Sequence, residues 1–163
     1  MPAGVTDDYT NRTVDLESLQ TISKVTSTSQ ELNLTVRNNN LSRRVTGMQK
    51  LAQRYATLFL TQKGTVGYAA NQGSNFIGSA TGGLIANGAN LSHFFNVANF
   101  QTIRQLQNED SNLSLGPVPP DDERIQTAKL VDFEVNQFEG TLSIKVSITS
   151  EAGDNYIYVL PAI

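Results

Sequence analysis

The sequence predicts an α+β fold: two main helices packed on a small antiparallel sheet, with a C-terminal three-stranded meander and an extended N-terminal arm. Three observations carry that class. Apolar residues recur at helical spacing over Thr46–Leu60. They alternate with polar residues at a period of two over Val131–Val135 and Thr141–Thr149. Residues 1–30 hold neither period and are rich in Ser and Thr. A chain of 163 residues is long enough for one domain with a real core. The reading therefore divides it into the arm, 1–30, and a single domain, 31–163.

In the arm, Val14, Leu16, Leu19, Ile22 and Val25 are spaced by two or three. That spacing fits neither a helix nor a strand, and the segment reads as an extended arm ordered against partners. Glu31–Arg37 alternates Leu32, Leu34 and Val36 with Asn33 and Thr35, the pattern of a strand, and Asn38-Asn39-Asn40 ends it as a turn. Thr46-Gly47-Met48-Gln49 fits a capping box, with Thr46 as the cap and Gln49 reaching back. Met48, Leu51, Ala52, Tyr55, Leu58 and Phe59 then form the buried stripe of the first helix. Gln49, Lys50, Gln53, Arg54 and Thr57 take its wet face. Gly64 is expected as the left-handed residue that closes it.

Gly64–Asn90 is rich in Gly and Asn and reads as irregular, with Phe76-Ile77 and Leu84-Ile85 as apolar anchors. The second helix is expected from Ser92 to about Asn108, burying Leu91, Phe94, Phe95, Ala98, Ile103 and Leu106. Asp110–Asp122 is a loop, because Gly116-Pro117 and Pro119-Pro120 break regular hydrogen bonding. The meander follows, with turns at Asn136–Gly140 and Glu151–Asn155. Val131, Phe133 and Val135 are expected on the buried face of its first strand. Leu142, Ile144, Val146 and Ile148 are expected on that of the second. Tyr156-Ile157-Tyr158-Val159-Leu160 drops the alternation and carries no charge. A strand apolar on both faces needs cover on both. Tyr156, Ile157, Tyr158, Val159 and Leu160 are therefore the candidate partner-binding residues, and removing Tyr156–Ile163 is expected to leave a foldable core.

Composition narrows the function. The formal net charge is −3 and Arg43-Arg44 is the only adjacent basic pair, so no basic face is expected to neutralise nucleic-acid phosphates. Charged residues make up 17%, below the usual quarter, which suits surfaces that pack in a large assembly. Apolar runs are too short to span a bilayer. The segment MPAGVTDDYT lacks the basic and apolar regions of a signal peptide. With no Cys there is no disulfide framework, and synthesis and assembly in a cytoplasm are expected.

No catalytic residue is expected. His93 is the single histidine, sits beside Phe94 and Phe95, and is accompanied by no Gly-x-Ser-x-Gly elbow. One His without Cys makes a metal site improbable. Gly78-Ser79-Ala80-Thr81-Gly82-Gly83 is followed by Leu84 rather than the Lys-Ser/Thr of a phosphate loop, so no cofactor is expected. Glu109/Asp110 and Asp121/Asp122/Glu123 are carboxylate clusters that glycoside hydrolysis could use. Both flank the Pro-rich loop as solvated groups, and the chain has no Trp for sugar stacking.

Two segments carry a resemblance. GMQKLAQRYATLFLTQKGTV, residues 47–66, resembles an amphipathic helix that runs into a Thr-x-x-Gly turn. DERIQTAKLVDFEVNQFEGTLSIKVSIT, residues 122–149, resembles an acid-x-Arg-Ile start followed by a hairpin and closing strands. Together they are similar to the baseplate wedge or sheath-initiator proteins of contractile phage tails, a family often labelled tail-lysozyme-like. Asp122-Glu123-Arg124-Ile125 stands where that family usually has Glu-Pro-Arg-Ile. The resemblance implies a structural protein of the virion's tail baseplate, assembled in the host cytoplasm, that offers a sheet edge to the first sheath ring. It implies as partners other baseplate wedge proteins and the tail sheath protein, with tail tube or hub proteins reached through the arm. Arg124 and Ile125 become structural anchors of the meander. A head–tail connector or tube-completion protein is the second reading, and a cell-wall muramidase the third.

Overall fold

The computed structural model describes residues 15–16, 44–85, 87–112, 117–136 and 140–160. The strand Glu31–Arg37, its Asn38–Asn40 turn and the arm apart from Asp15–Leu16 lie outside the described residues. So do residues 137–139 of the first meander turn. The architecture is α+β. Strands β3 (Ile125–Asn136), β4 (Thr141–Ser150) and β5 (Asn155–Leu160) form an antiparallel sheet in that order. Helices α1 (Gly47–Leu60) and α3 (Gly88–Ser111) cover one face, α3 over β3 and α1 over β4 and β5. A short helix, α2 (Phe76–Thr81), packs against both. Within the arm, β1 (Asp15–Leu16) pairs antiparallel with β2 (Arg44–Val45) of its own chain.

Aromatic rings centre the core. Phe59 of α1 lies 4.8 Å from Phe76, 5.4 Å from Phe95 and 5.6 Å from Tyr55, between ring centroids. Leu51, Leu91, Leu106, Ile144, Val146, Ile148 and Leu160 close around them. One polar link crosses this core. Tyr55 Oη donates to Asn99 Oδ1 at 2.8 Å, and Asn99 Nδ2 donates to the Ala128 carbonyl at 2.8 Å. It joins α1, α3 and β3, which gives a polar residue in the middle of α3 a physical reason.

Several local expectations change. Thr46 stands at the N-cap with extended backbone, but its side chain makes no capping bond. The capping acceptor is remote: Gly47 N–H donates to Glu123 Oε1 at 3.0 Å. The other end closes on Thr61, whose N–H and hydroxyl both reach the Thr57 carbonyl. Gly64, at φ +88°, instead serves a turn in which Thr65 N–H donates to the Gln62 carbonyl. The expected wet face of α1 is largely covered. Gln53 is buried, and the Lys50 and Arg54 side chains are 13% and 19% exposed.

The Gly-rich stretch is more regular than its composition implies. Ser74 Oγ donates to the Phe59 carbonyl at 2.6 Å and accepts from Phe76 N–H, which starts α2. Gln105 of α3 clamps Gly73 from both sides: it accepts from the N–H at 2.9 Å and donates to the carbonyl at 2.7 Å. Gly73 has φ +97°, and a Cβ there would collide with the Thr61 carbonyl. The second helix begins at Gly88, not Ser92, because Asn87 Oδ1 accepts from Asn90 N–H at 2.9 Å and caps it earlier. It buries Leu91, Phe95, Ala98 and Leu106 as expected, with Phe94 and Ile103 partly buried.

Strand β3 starts at Ile125 and breaks register between Leu130 and Asp132. That shift leaves Val131 without a Cα partner and 52% exposed. Phe133 and Val135 oppose Ile144 and Leu142 but are 38% and 54% exposed. The buried residues of β3 are therefore Ile125, Ala128 and part of Leu130; Phe133 and Val135 share the face of Ile144 and Leu142 but are incompletely covered there, and Val131 alone falls out of the pairing. Strand β4 buries Leu142, Ile144, Val146 and Ile148 as its alternation requires.

Two outcomes follow. Glu123→Ala removes a fully buried carboxylate from Gly47 and Lys50 and is expected to cost about 3 kcal/mol in urea unfolding. Glu123→Gln, which keeps an acceptor, costs less. A loss under about 1 kcal/mol for Glu123→Ala would contradict the assigned cap. Burial pushes the Tyr55 hydroxyl above its ordinary value. A raised folded value favours the protonated fold, so this contribution is complete below about pH 10 and declines as pH rises beyond it. Tyr55→Phe should flatten that alkaline decline, read as unfolding midpoint against pH.

Candidate docking edge

The hairpin that delivers β5 is set by Gly153, at φ +89°. Gly153 N–H donates to the Ser150 carbonyl at 3.0 Å and Ser150 N–H to the Asp154 carbonyl at 2.9 Å. This is a three-residue loop closed by a glycine bulge, and it fixes the register from Thr149↔Asn155 to Ile144↔Leu160. Bonded pairs recur every second residue in an antiparallel ladder. With Ser150 and Asp154 bonded, Tyr156, Tyr158 and Leu160 bond to β4. The backbone N–H and C=O groups of Asn155, Ile157 and Val159 then turn to the open side. Among the described residues no strand pairs with that side.

The five candidate residues divide by face. Tyr158 and Leu160 are 4% and 0% exposed, and Tyr156 is partly buried against the core. Ile157 is 61% exposed and Val159 partly buried on the other face. The strand is thus not one undivided docking surface. Its inward residues belong to this chain's core, so deleting Tyr156–Ile163 would open that core rather than leave it foldable. The Tyr158 hydroxyl is buried with no hydrogen-bond partner among the described residues, and burial, then the neighbouring Tyr156, raises it above its ordinary value. Around Ile157 and Val159 the outer face is polar. Ser147 Oγ donates to Asn155 Oδ1 at 2.9 Å, and Lys145 Nζ lies 3.6 Å from Asp132.

The two edges of the sheet differ. Strand β3 carries exposed Lys129, Asp132 and Glu134 and two register shifts, the features that blunt an edge against pairing. Strand β5 has neither a charge nor a register shift.

Arg124 ties the start of β3 to the turn before β5. Its Nη2 lies 2.6 Å from Asp121 Oδ1 and 2.6 Å from Glu151 Oε2. The Arg124 carbonyl accepts from Glu151 N–H at 2.9 Å. Ile125 beside it is fully buried. The carboxylates expected to be solvated belong to a second group. Arg54 Nη2 is 2.7 Å from Asp110 and 3.3 Å from Glu109, and its Nη1 reaches the Glu123 carbonyl at 3.5 Å. Glu123 also lies 3.5 Å from Lys50. Asp110 and Glu123 are buried while Asp121 stays exposed, so Arg54 links Glu109 and Asp110 to the Glu123 carbonyl and only part of each cluster is wet. No local signal announces this, because Glu123 meets Gly47 across 76 positions.

His93 is exposed, with its ring 5.5 Å from Phe94. Among the described residues no group of three His, Cys, Asp or Glu is placed to hold a metal, and no helix is long and apolar enough to cross a membrane. Comparison with family models, curated proteins and solved structures gives no match.

The division of β5 has a measurable consequence. Ile157→Lys should change stability by no more than about 0.5 kcal/mol, whereas Leu160→Ala should cost about 2–5 kcal/mol. Equal losses in urea unfolding would contradict the assignment of faces.

Proposed function

We propose that this chain is a structural assembly protein whose β5 edge accepts a strand from a partner. On this reading it is a component of a contractile phage tail baseplate that initiates the sheath by offering that edge to the first sheath ring. The observation that carries the proposal is the contrast between the guarded β3 edge and the unguarded β5 edge. Strand addition draws its affinity from backbone groups and its selectivity from alternate side chains. Asn155, Ile157 and Val159 supply the first, and Ile157 and Val159 the second. Each added hydrogen bond contributes only about 1 kcal/mol net, so one short strand binds weakly. A ring of copies compensates, because each strand docked raises the effective concentration of the next.

The resemblance of residues 47–66 and 122–149 supports the choice of assembly. On that basis the partners are neighbouring baseplate wedge proteins and the tail sheath protein, and the site of action is the virion's tail baseplate after assembly in the host cytoplasm. The anchor at Arg124 fits a templating role. It clamps the turn that precedes β5 to the start of β3, so the edge is held at a fixed position.

Ile157→Pro deletes an N–H that faces the open side and leaves the β4 ladder intact. Tails assembled with this variant are expected to carry it in the baseplate but to lack sheath under electron microscopy. Fully sheathed tails that contain the variant would overturn the proposal.

A further inference from the structure

The loop between α1 and α2 and a cleft beside the end of α3 have no part in that proposal. Residues 62–74 form a compact loop whose ends are held together. Ser74 N–H donates to the Thr61 carbonyl at 2.8 Å, and Lys63 N–H to the Ser74 carbonyl at 2.9 Å. Three hydrogen-bonded turns fill the loop: Thr65 N–H to the Gln62 carbonyl, Ala69 N–H to Val66, and Gln72 N–H to Ala69. Gln105 of α3 grips Gly73 at the base. The middle turn carries Tyr68, which is 94% exposed, more than any other large apolar side chain among the described residues. The ring therefore adds nothing to this chain's core. A tyrosine has two side-chain torsions to order, and here its backbone is already set, so it suits an interface anchor.

The cleft has a volume of about 470 Å³, and Gln107, Ser111, Val118 and Glu151 are among the residues that line it. All four are open to solvent, Val118 at 49%. Val118 offers apolar contact to a ring, and the three polar residues offer acceptors for a phenol hydroxyl. Along α3, Gln107 and Ser111 stand about 200° and about 240° around the helix from Gln105. The loop and the cleft thus lie on opposite flanks of one helix. A protrusion and a recess on opposite flanks do not meet within one chain, but they do meet between successive copies set head to tail. Charge agrees with that pairing. Lys63 is the only charged residue from Gln62 to Ser74, whereas exposed Glu151 and Asp121 flank one Arg124 at the cleft. We infer that the partner of both features is a second copy of this chain: Tyr68 of one copy enters the α3 cleft of the next. Such a contact closes into a ring or runs on as a filament, according to the rotation between copies.

Sedimentation velocity on the full chain tests this with two variants. Tyr68→Ala removes the protrusion and keeps the cleft. Val118→Arg fills the cleft, sets a positive charge against Lys63 and keeps the protrusion. The unaltered chain is expected to form species larger than a dimer as its concentration rises toward about 1 mM. Each variant alone should associate about tenfold or more weakly. An equimolar mixture should recover association and stop at a 1:1 dimer, because only one protrusion and one cleft remain to be joined. Circular dichroism and urea midpoints check that both variants are folded, and Ser111→Arg is the second cleft variant. An unaltered chain that stays monomeric to about 1 mM, undiminished association of Tyr68→Ala, or a mixture that remains monomeric or grows beyond a dimer would overturn the inference. Ile157→Pro should associate as the unaltered chain does. Association lost in Ile157→Pro and kept in Tyr68→Ala would assign the contact to the β5 edge instead, so the two proposals fail separately.

Discussion

The buried carboxylate of Glu123 is the constraint on which the arrangement depends. It caps α1 from outside the helix and lies beside Lys50, while the carbonyl of the same residue accepts from Arg54. A buried charge is tolerated only when partners surround it. The partners here come from α1, and Glu123 stands two residues ahead of β3, so the start of α1 is tied to the start of the sheet. Arg124 extends the same restraint in the next residue to the turn before β5. The chain thereby uses two adjacent charged residues to fix a helix start, a strand start and a hairpin turn at one place.

With that tie in place, the sheet has one inner face, filled by the Phe59 ring cluster and the β4 aliphatic residues, and two edges. The edges follow different rules. On β3, charge and register shifts make a further strand unwelcome. On β5, the hairpin geometry turns the backbone groups of three residues outward, and nothing charged intervenes between Asn155 and Leu160. An open, uncharged edge is an aggregation hazard unless a partner covers it, and the proposal of an assembly role rests on that contrast.

Much of this was legible in the sequence where the physics is local. Period-two alternation placed β4 residue by residue, and helical spacing placed the α1 core stripe. What escaped the sequence was long-range or depended on burial. Thr46 looked like a cap because its spacing to Gln49 is right, but a glutamate 76 positions away from Gly47 takes the role. Lys50, Gln53 and Arg54 looked wet because they are polar, whereas their partners reach them only after folding. Val131 looked buried because a shift in register cannot be read from alternation. In the candidate strand, five consecutive apolar residues marked Tyr156–Leu160 correctly as unusual. Only the ladder shows that Tyr158 and Leu160 face inward, which leaves Ile157 and Val159 on the outer face.

Amide hydrogen exchange, resolved at single residues along β5, tests the central claim most directly. In the isolated chain, Tyr156, Tyr158 and Leu160 should exchange slowly through their bonds to β4, while Ile157 and Val159 exchange fast. In the assembled particle, Ile157 and Val159 should become protected. Slow exchange at Ile157 and Val159 in the isolated chain would mean that the edge is already covered, and would contradict the account.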